Sequence, residues 1–462
     1  YDLYLQALKE RSTGSFGALE AAEDLLKGAL VIDPDFVEAK NELAELYLLQ
    51  AETGLLETGT AFSQIAALAE QVLAVDAEDS HASALASYVA AVNAVADDNP
   101  EPLFDAVEQL EQFCARQPDD YRIRFLLARL YQTIQQNDRA LELQLQAHDI
   151  DPYNARILFE LGSLYAYMDR WDEARDALTK SLEIETRQPN AYVRLAQVSL
   201  KTGDGLEYLQ YLLKAMAVDP RDHELPGMIA GFLYNLELFE AGDEFRDRVI
   251  AVAPTSAMAY HIELLRAVRS GDEDAVVASA RRAIEDDVEQ RMNAYAGSVR
   301  HLLRIAAKNG SYDEESRWLE SVAPGILDLD STSSPMKYRI AQTAALDAWY
   351  SVLPTEELLE RIEKILAFAD TFGIDPLADP QSRVAVMALR GQVEEATEFA
   401  LEEVLSQPVV SNLGWRHSLE LAQYENIVAD GRVQQALQRW DEEWSALQVK
   451  VSSYLEDLSS AS

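Results

Sequence analysis

The chain has 462 residues, 48% of them hydrophobic, with only 19 glycines and 15 prolines. That balance excludes bulk disorder and a turn-rich strand architecture, and it suits long helices. Eighty acidic against 39 basic side chains leave a formal net charge of −41, which repels phosphate backbones and anionic lipid headgroups over most of the surface and disfavours nucleic-acid or membrane binding by this chain. The charge itself reads in two ways, as a solvated acidic surface or as one that takes a basic partner.

The chain opens on Tyr1 with no basic and apolar leader pattern, so it is expected to be a piece of a longer protein. Residues 18–36 carry Ala22, Leu26 and Ala29 at helical spacing and close on Pro34. Residues 38–50 read as the next helix, with Leu43, Ala44 and Tyr47 on one face. Surplus residues near 51–63 and again near 96–102 are expected to lengthen inter-helix turns. The apolar stretch Ala82 to Ala96 is interrupted by Ser87, Tyr88 and Asn93, and it is too short and polar to span a bilayer. The single cysteine, Cys114, permits no internal disulfide, and beside Val107, Leu110 and Phe113 it reads as an inert core thiol.

From Tyr121 the pattern becomes a repeat. Residues 121–152 align without a gap on residues 155–186: Leu127-Ala128 meets Leu161-Gly162, Tyr131 meets Tyr165, and Ala140 meets Ala174. The alignment is imperfect in the second helix, where Gln144 stands opposite Leu178. Pro118, Pro152, Thr186, Pro220, Pro254 and Val288 then follow one another at intervals of 34. Small Ala128 or Gly162 allows close approach of the paired helix, whose facing stripe is Ala140, Leu143 and Ala147. Pro152 is expected to start the following helix, and Asp119, Asp120 and Asp151 to sit at helix starts, where negative charge suits the dipole. Beyond Val288 the pattern loosens. Residues 295–324 read as a further pair, 325–335 as a break, and helical stretches are expected near 336–351, 355–372, 380–390, 393–406, 413–428 and 431–457.

A 34-residue helix–turn–helix unit resembles the tetratricopeptide-repeat (TPR) family. The resemblance implies an all-α, right-handed superhelical TPR solenoid of about twelve antiparallel helix pairs. The array is expected over 1–324, with units near 1–36, 37–79, 80–120, 121–154, 155–188, 189–222, 223–256, 257–290 and 291–324, followed by a degenerate TPR-like helical region over 325–462. The implied function is protein or peptide binding. First helices of TPR units line a concave face, and the family's inward-pointing positions fall here on Arg122, Phe125, Arg129 and Gln132, then Arg156, Phe159 and Ser163, then Asn190, Val193 and Gln197. Arg122, Arg129 and Arg156 with Phe125 and Phe159 suit an extended peptide bearing acidic and apolar groups; equally, they can pair with neighbouring carboxylates. Charge reversal at Arg122 and Arg156 is expected to weaken binding without lowering stability. The Lys/Asn clamp by which some TPR domains hold acidic chain ends is replaced by Phe125/Arg129 and Phe159/Ser163, and is not carried over.

The two ends carry a second resemblance. The opening run from Tyr1 to Gln50, and the closing run from Gly414 through Trp415, Tyr424, Asp430, Trp440 and Trp444 to Leu455, resemble the TPR portion of membrane-anchored bacterial winged-helix regulators and class III nucleotide cyclases. This implies the sensory or regulatory part of a larger membrane-anchored regulator, on the periplasmic or extracytoplasmic side. A freestanding scaffold or assembly factor in secretion or envelope biogenesis is the alternative, and so is a cytoplasmic location. The six histidines lack metal-ligand spacing, and Gly203-Asp204-Gly205 follows a helix where nucleotide binding needs a strand. No catalytic, cofactor or metal site is expected, and the partner is expected to be a polypeptide.

Overall fold

The computed structural model describes residues 1–13, 15–52, 55–96, 101–286, 292–329, 349–350, 352–371, 380–419 and 424–461. All regular structure among them is helical. Eighteen α-helices run to Val322 in nine successive pairs. They are α1 (Asp2–Thr13) with α2 (Phe16–Ile32), α3 (Val37–Glu52) with α4 (Thr58–Val75), and α5 (Ser80–Ala96) with α6 (Glu101–Arg116). Then come α7 (Tyr121–Thr133) with α8 (Asn137–Ile150), α9 (Ala155–Tyr167) with α10 (Trp171–Ile184), and α11 (Pro189–Thr202) with α12 (Gly205–Val218). The series continues with α13 (Glu224–Asn235) and α14 (Phe239–Val252), α15 (Ala257–Ser270) and α16 (Glu273–Glu285), and α17 (Met292–Lys308) and α18 (Tyr312–Val322). The fold is an all-α TPR solenoid.

The turn inside each pair shows why the beat is 34. Gln135, Asp169, Gly203, Glu237 and Gly271 all have left-handed backbones, with φ of 59°, 57°, 94°, 58° and 72°. The amide that follows each one bonds back across the turn: Gln136 N–H to Tyr131 O at 2.8 Å, Arg170 to Tyr165 at 2.9 Å, Asp204 to Ser199 at 2.8 Å, Leu238 to Leu233 at 2.9 Å, and Asp272 to Ala267 at 3.1 Å. These turns satisfy helix-end carbonyls that would otherwise lack partners. Non-glycine residues hold the position at three of the five, so the hydrogen bonding outweighs the steric cost there.

Between pairs, the proline expectation is corrected. Pro152 does not start α9; it lies in the turn before it, and Asn154 is the N-cap, accepting from Arg156 N–H at 3.1 Å and Ile157 N–H at 3.3 Å. Asp151 caps the end of α8 instead, its N–H bonded to Ala147 O. Pro118 likewise precedes the true cap, Asp120. A fixed φ near −65° fits a turn as well as a first helical residue, and the Asx caps decide between them. The surplus near 51–63 is also placed differently: much of it extends the helices, α3 and α4 having 16 and 18 residues against 13 and 14 in α7 and α8. Val288, residues 97–100 of the second surplus and most of the stretch 336–351 lie outside the described residues.

Two compact units result: residues 1–198 with 210–222, and residues 199–209 with 223–462. In the first, Leu19, Leu26, Leu46, Ile65, Leu85 and Leu110 form the centre of one core. Cys114 packs at its edge, and burial pushes the thiol up to about 11. Gly162 in α9 shows how tightly pairs pack, because a Cβ there would lie 2.6 Å from Leu178 Cγ.

In the second unit, Leu302, Ile326, Trp349, Ile362 and Val386 share a core with α15 and α16. Its later elements are α19 (Thr355–Thr371), α20 (Pro380–Leu389), α21 (Val393–Phe399) continuing into a π-helical turn (Ala400–Val404), α22 (Leu413–Ser418), α23 (Glu425–Val428) and α24 (Gly431–Ala461). Trp415 and Trp440 are fully buried and meet edge-on, with ring centroids 6.2 Å apart. From α24, Trp444 Nε1 donates to Asn235 O at 3.1 Å and Gln448 Nε2 to Leu236 O at 2.9 Å. The long helix thereby satisfies carbonyls at the end of α13.

Candidate peptide-binding groove

The first unit presents a groove of about 440 Å³ bounded by α1, α9 and α11 and by the turns that precede α9 and α11. Arg156 and Phe159 come from α9 and Asn190 from the first turn of α11. Leu8 and Arg11 of α1 and Tyr121 of α7 bound it on the other side. A shallower groove shares Leu8, Arg11 and Tyr121 with the first and adds Arg122, Glu42 and Asp120. The two grooves adjoin at those shared side chains.

Local hydrogen bonds hold the walls rigid. Gln188 Nε2 donates to Glu185 O at 2.8 Å and Ser181 O at 3.1 Å, while Ser181 Oγ donates to Ala155 O at 2.6 Å. Asn154 Nδ2 donates to Asp151 Oδ2 at 3.1 Å. The rim is apolar and wet: Tyr153 is 83% exposed and Ile184 44% exposed. Asn190, half-buried, borders the groove, and its amide makes no hydrogen bond with the described residues.

Beside the groove lies a buried charge network centred on Glu45 of α3. Arg11 Nη1 is 2.5 Å from Glu45 Oε2, and Arg11 Nε is 2.6 Å from Glu42 Oε1. His81 Nε2 lies 3.0 Å from Glu45 Oε1, Arg156 Nη1 3.7 Å from Oε2, and Arg122 Nε 4.0 Å from Oε1. Burial alone would raise the Glu45 carboxyl, but Arg11 and then His81 outweigh it and hold it well below the usual carboxylate range. Its neighbour Glu42 goes the other way: burial raises it more than Arg11 lowers it, and the Glu45 charge adds to the rise. Burial works against the charge on Arg11, yet Glu45 and Glu42 raise its pKa.

The ten side chains anticipated from the repeat divide accordingly. Arg156, Phe159 and Asn190 border the first groove and Arg122 the shallower one. Arg122 is also 3.5 Å from Asp120, so both arginines stand between carboxylates and the grooves. Phe125 is buried beneath Arg156, whose guanidinium lies 4.7 Å from its ring centroid, and Arg129 lies 5.5 Å from the same ring and 5.9 Å from Tyr88. Gln132 and Val193 are half-buried and border neither groove. Gln197 is exposed and accepts from Arg194 at 2.9 Å. The Ser163 hydroxyl is buried with no hydrogen-bond partner among the described residues. Sequence reasoning missed Arg11, Glu45, Tyr153 and Ile184. The one available signal was the series Glu38, Glu42 and Glu45 along one face of α3.

Among the described residues no group of three or more potential metal ligands converges, and no helix is long and apolar enough to cross a membrane. Residues 155–187, which are α9, α10 and their turns, match the tetratricopeptide repeat family model. No curated protein matches the chain. Among solved structures, it is similar over 40% of its length to 95% of YrrB, a TPR protein with an unusual peptide-binding site, at 18% identity and a TM-score of 0.32. It is similar over 38% of its length to 94% of a MamA structure, at 22% identity and a TM-score of 0.28. It is similar over 47% of its length to 97% of Pseudomonas aeruginosa PilF, at 16% identity and a TM-score of 0.38.

Proposed function

We propose that the first unit binds an extended polypeptide segment whose acidic side chain meets Arg156 while apolar side chains rest on Phe159, Tyr153 and Ile184. The observation that carries this is the Asn190 amide, which borders a 440 Å³ groove with no hydrogen-bond partner among the described residues. A peptide backbone offers the N–H and C=O that such an amide pairs with. Arg156 has its ion-pair contact with Glu45 at 3.7 Å rather than a tight bidentate pair, and so keeps donors for a ligand carboxylate. The groove offers polar and apolar contacts but no converging nucleophile, base or metal ligands, which supports binding rather than chemistry.

The resemblance of the terminal segments supports a wider reading, in which this chain is the sensory or partner-binding part of a membrane-anchored regulator and lies outside the cytoplasm. A parent gene encoding no membrane span would remove that context and leave the groove.

The test is affinity capture from the native extract, followed by titration of peptides from the captured protein. Asn190→Ala and Arg156→Gln should each weaken binding about tenfold, the worth of roughly one charged or well-placed hydrogen bond. Arg156→Gln is preferred to charge reversal, because a glutamate there would face Glu45. Wild-type affinity in both variants would exclude this groove.

A further inference from the structure

Gln144 stands where the repeat loses its match, opposite Leu178 of the next unit. Leu178 is fully buried against Gly162. Gln144 is only 3% exposed, and its Oε1 is buried with no hydrogen-bond partner among the described residues. A buried amide oxygen left unmet destabilises the fold, a penalty that leucine at this position would not carry. Gln144 also lines a cavity of about 20 Å³ inside the first unit, which has Phe125 and Leu126 of α7, Ala147 of α8 and Ile157 of α9 among its walls. Tyr121, Arg156 and Glu160 line both this cavity and the 440 Å³ groove, so the two spaces adjoin at those side chains.

Size and charge decide what the cavity can take. Roughly 10–15 Å³ holds one water-sized group, so the space admits a single oxygen and is too small for a carboxylate, a carboxamide or a ring. Glu45 and Glu160 on its walls oppose an anion, and Arg122 and Arg156 oppose an ammonium group. A neutral hydroxyl is opposed by neither pair, and its O–H is the donor that Gln144 Oε1 lacks.

We propose that the cavity is a subsite of the peptide groove for a serine or threonine side chain, with Gln144 as its specificity-determining residue. The ligand hydroxyl donates to Gln144 Oε1, while the carbon that carries it rests on Phe125, Leu126 and Ile157. Arg156 borders both spaces, so the hydroxyl-bearing residue of the ligand lies close in sequence to the acidic one. The subsite rests on the groove binding a peptide, and adds to that groove one selected kind of side chain.

A displayed library of short random peptides, selected on the full chain, tests it, and the enriched peptides are then titrated by fluorescence anisotropy. Serine or threonine is expected at one fixed position. In a threonine peptide, isosteric valine at that position should weaken binding to the wild-type chain about tenfold. Gln144→Leu, which matches the residue at the aligned position, should raise the melting temperature and bind the threonine and valine peptides equally. Gln144→Met provides the same reading if Gln144→Leu fails to fold. Peptides that depend on Asn190 yet show no hydroxyl preference overturn the subsite and leave the groove standing, the cavity then holding a resident water. Discrimination of threonine from valine that survives in Gln144→Leu overturns it as well. Binding that Asn190→Ala leaves unchanged, or no enrichment at all, removes the groove and the subsite with it.

Discussion

Glu45→Gln removes the charge on which four groups converge. In the wild type its carboxylate lies within 4.0 Å of Arg11, His81, Arg122 and Arg156. Removing one partner of a buried ion pair costs about 3–5 kcal/mol, because the remaining charge is left uncompensated. Here Arg11 keeps Glu42 at 2.6 Å, so the lower end applies, at about 3 kcal/mol. With a urea slope of about 2 kcal/mol/M, the midpoint of the first unit should fall by about 1.5 M. Urea is the proper denaturant, since guanidinium would screen the network under test. Far-UV circular dichroism reads the transition. Arg11→Met completes a double-mutant cycle, and the double variant should be less damaged than the sum of the singles by about 1 kcal/mol or more. A midpoint within about 0.3 M of wild type, or strict additivity with Arg11→Met, would show that the network is held in place by its surroundings and contributes no net stability.

Three further predictions test other parts of the molecule. Gly162→Ala drives a methyl against Leu178 and should cost about 1–3 kcal/mol, with Leu178→Val on the same chain restoring much of it; a neutral single variant would mean that the Leu178 side chain is free to move aside. Gln135→Gly relieves a left-handed backbone and should raise the first unit's stability by about 0.5–1 kcal/mol, and a loss measured by urea titration would mean that the glutamine makes a contact worth more than the strain. Folded His301 stays neutral below its unfolded value near 6.5, so the unfolded chain takes up a proton first and the second unit loses stability as pH falls below about 6.5, by up to about 1.4 kcal/mol per pH unit. His301→Gln should flatten that part of the profile, and identical pH dependences in wild type and variant would refute the burial of this ring.

The repeat was legible because its cause is local. Ala140, Ala174 and the left-handed turn residues recur at a fixed interval, and the five hairpins from α7 to α16 close on hydrogen bonds spanning five residues. Pro152 was misplaced because proline fits the first turn of a helix and an ordinary turn alike, and only the Asn154 side chain separates the two. The lengthening of α3 and α4 was hidden by residues such as Glu52, Thr58 and Ala61, which suit either a helix or a turn. Half of the site was harder still. Glu45 meets arginines from α7 and α9, contacts that depend on how successive pairs stack and leave no trace in spacing. Gln144 and Leu178 break the alignment for a reason only packing supplies: Leu178 fills the space that Gly162 leaves open.

Those five-residue closures bear on how the chain would respond to force. Each of these five hairpins is tied off within itself, so load passing along them acts on the packing between hairpins before it acts on any of their turns. Release would then proceed as a staircase, each tread freeing about 34 residues and some 120 Å of contour. The load such hairpins have borne is then legible as the number that have opened.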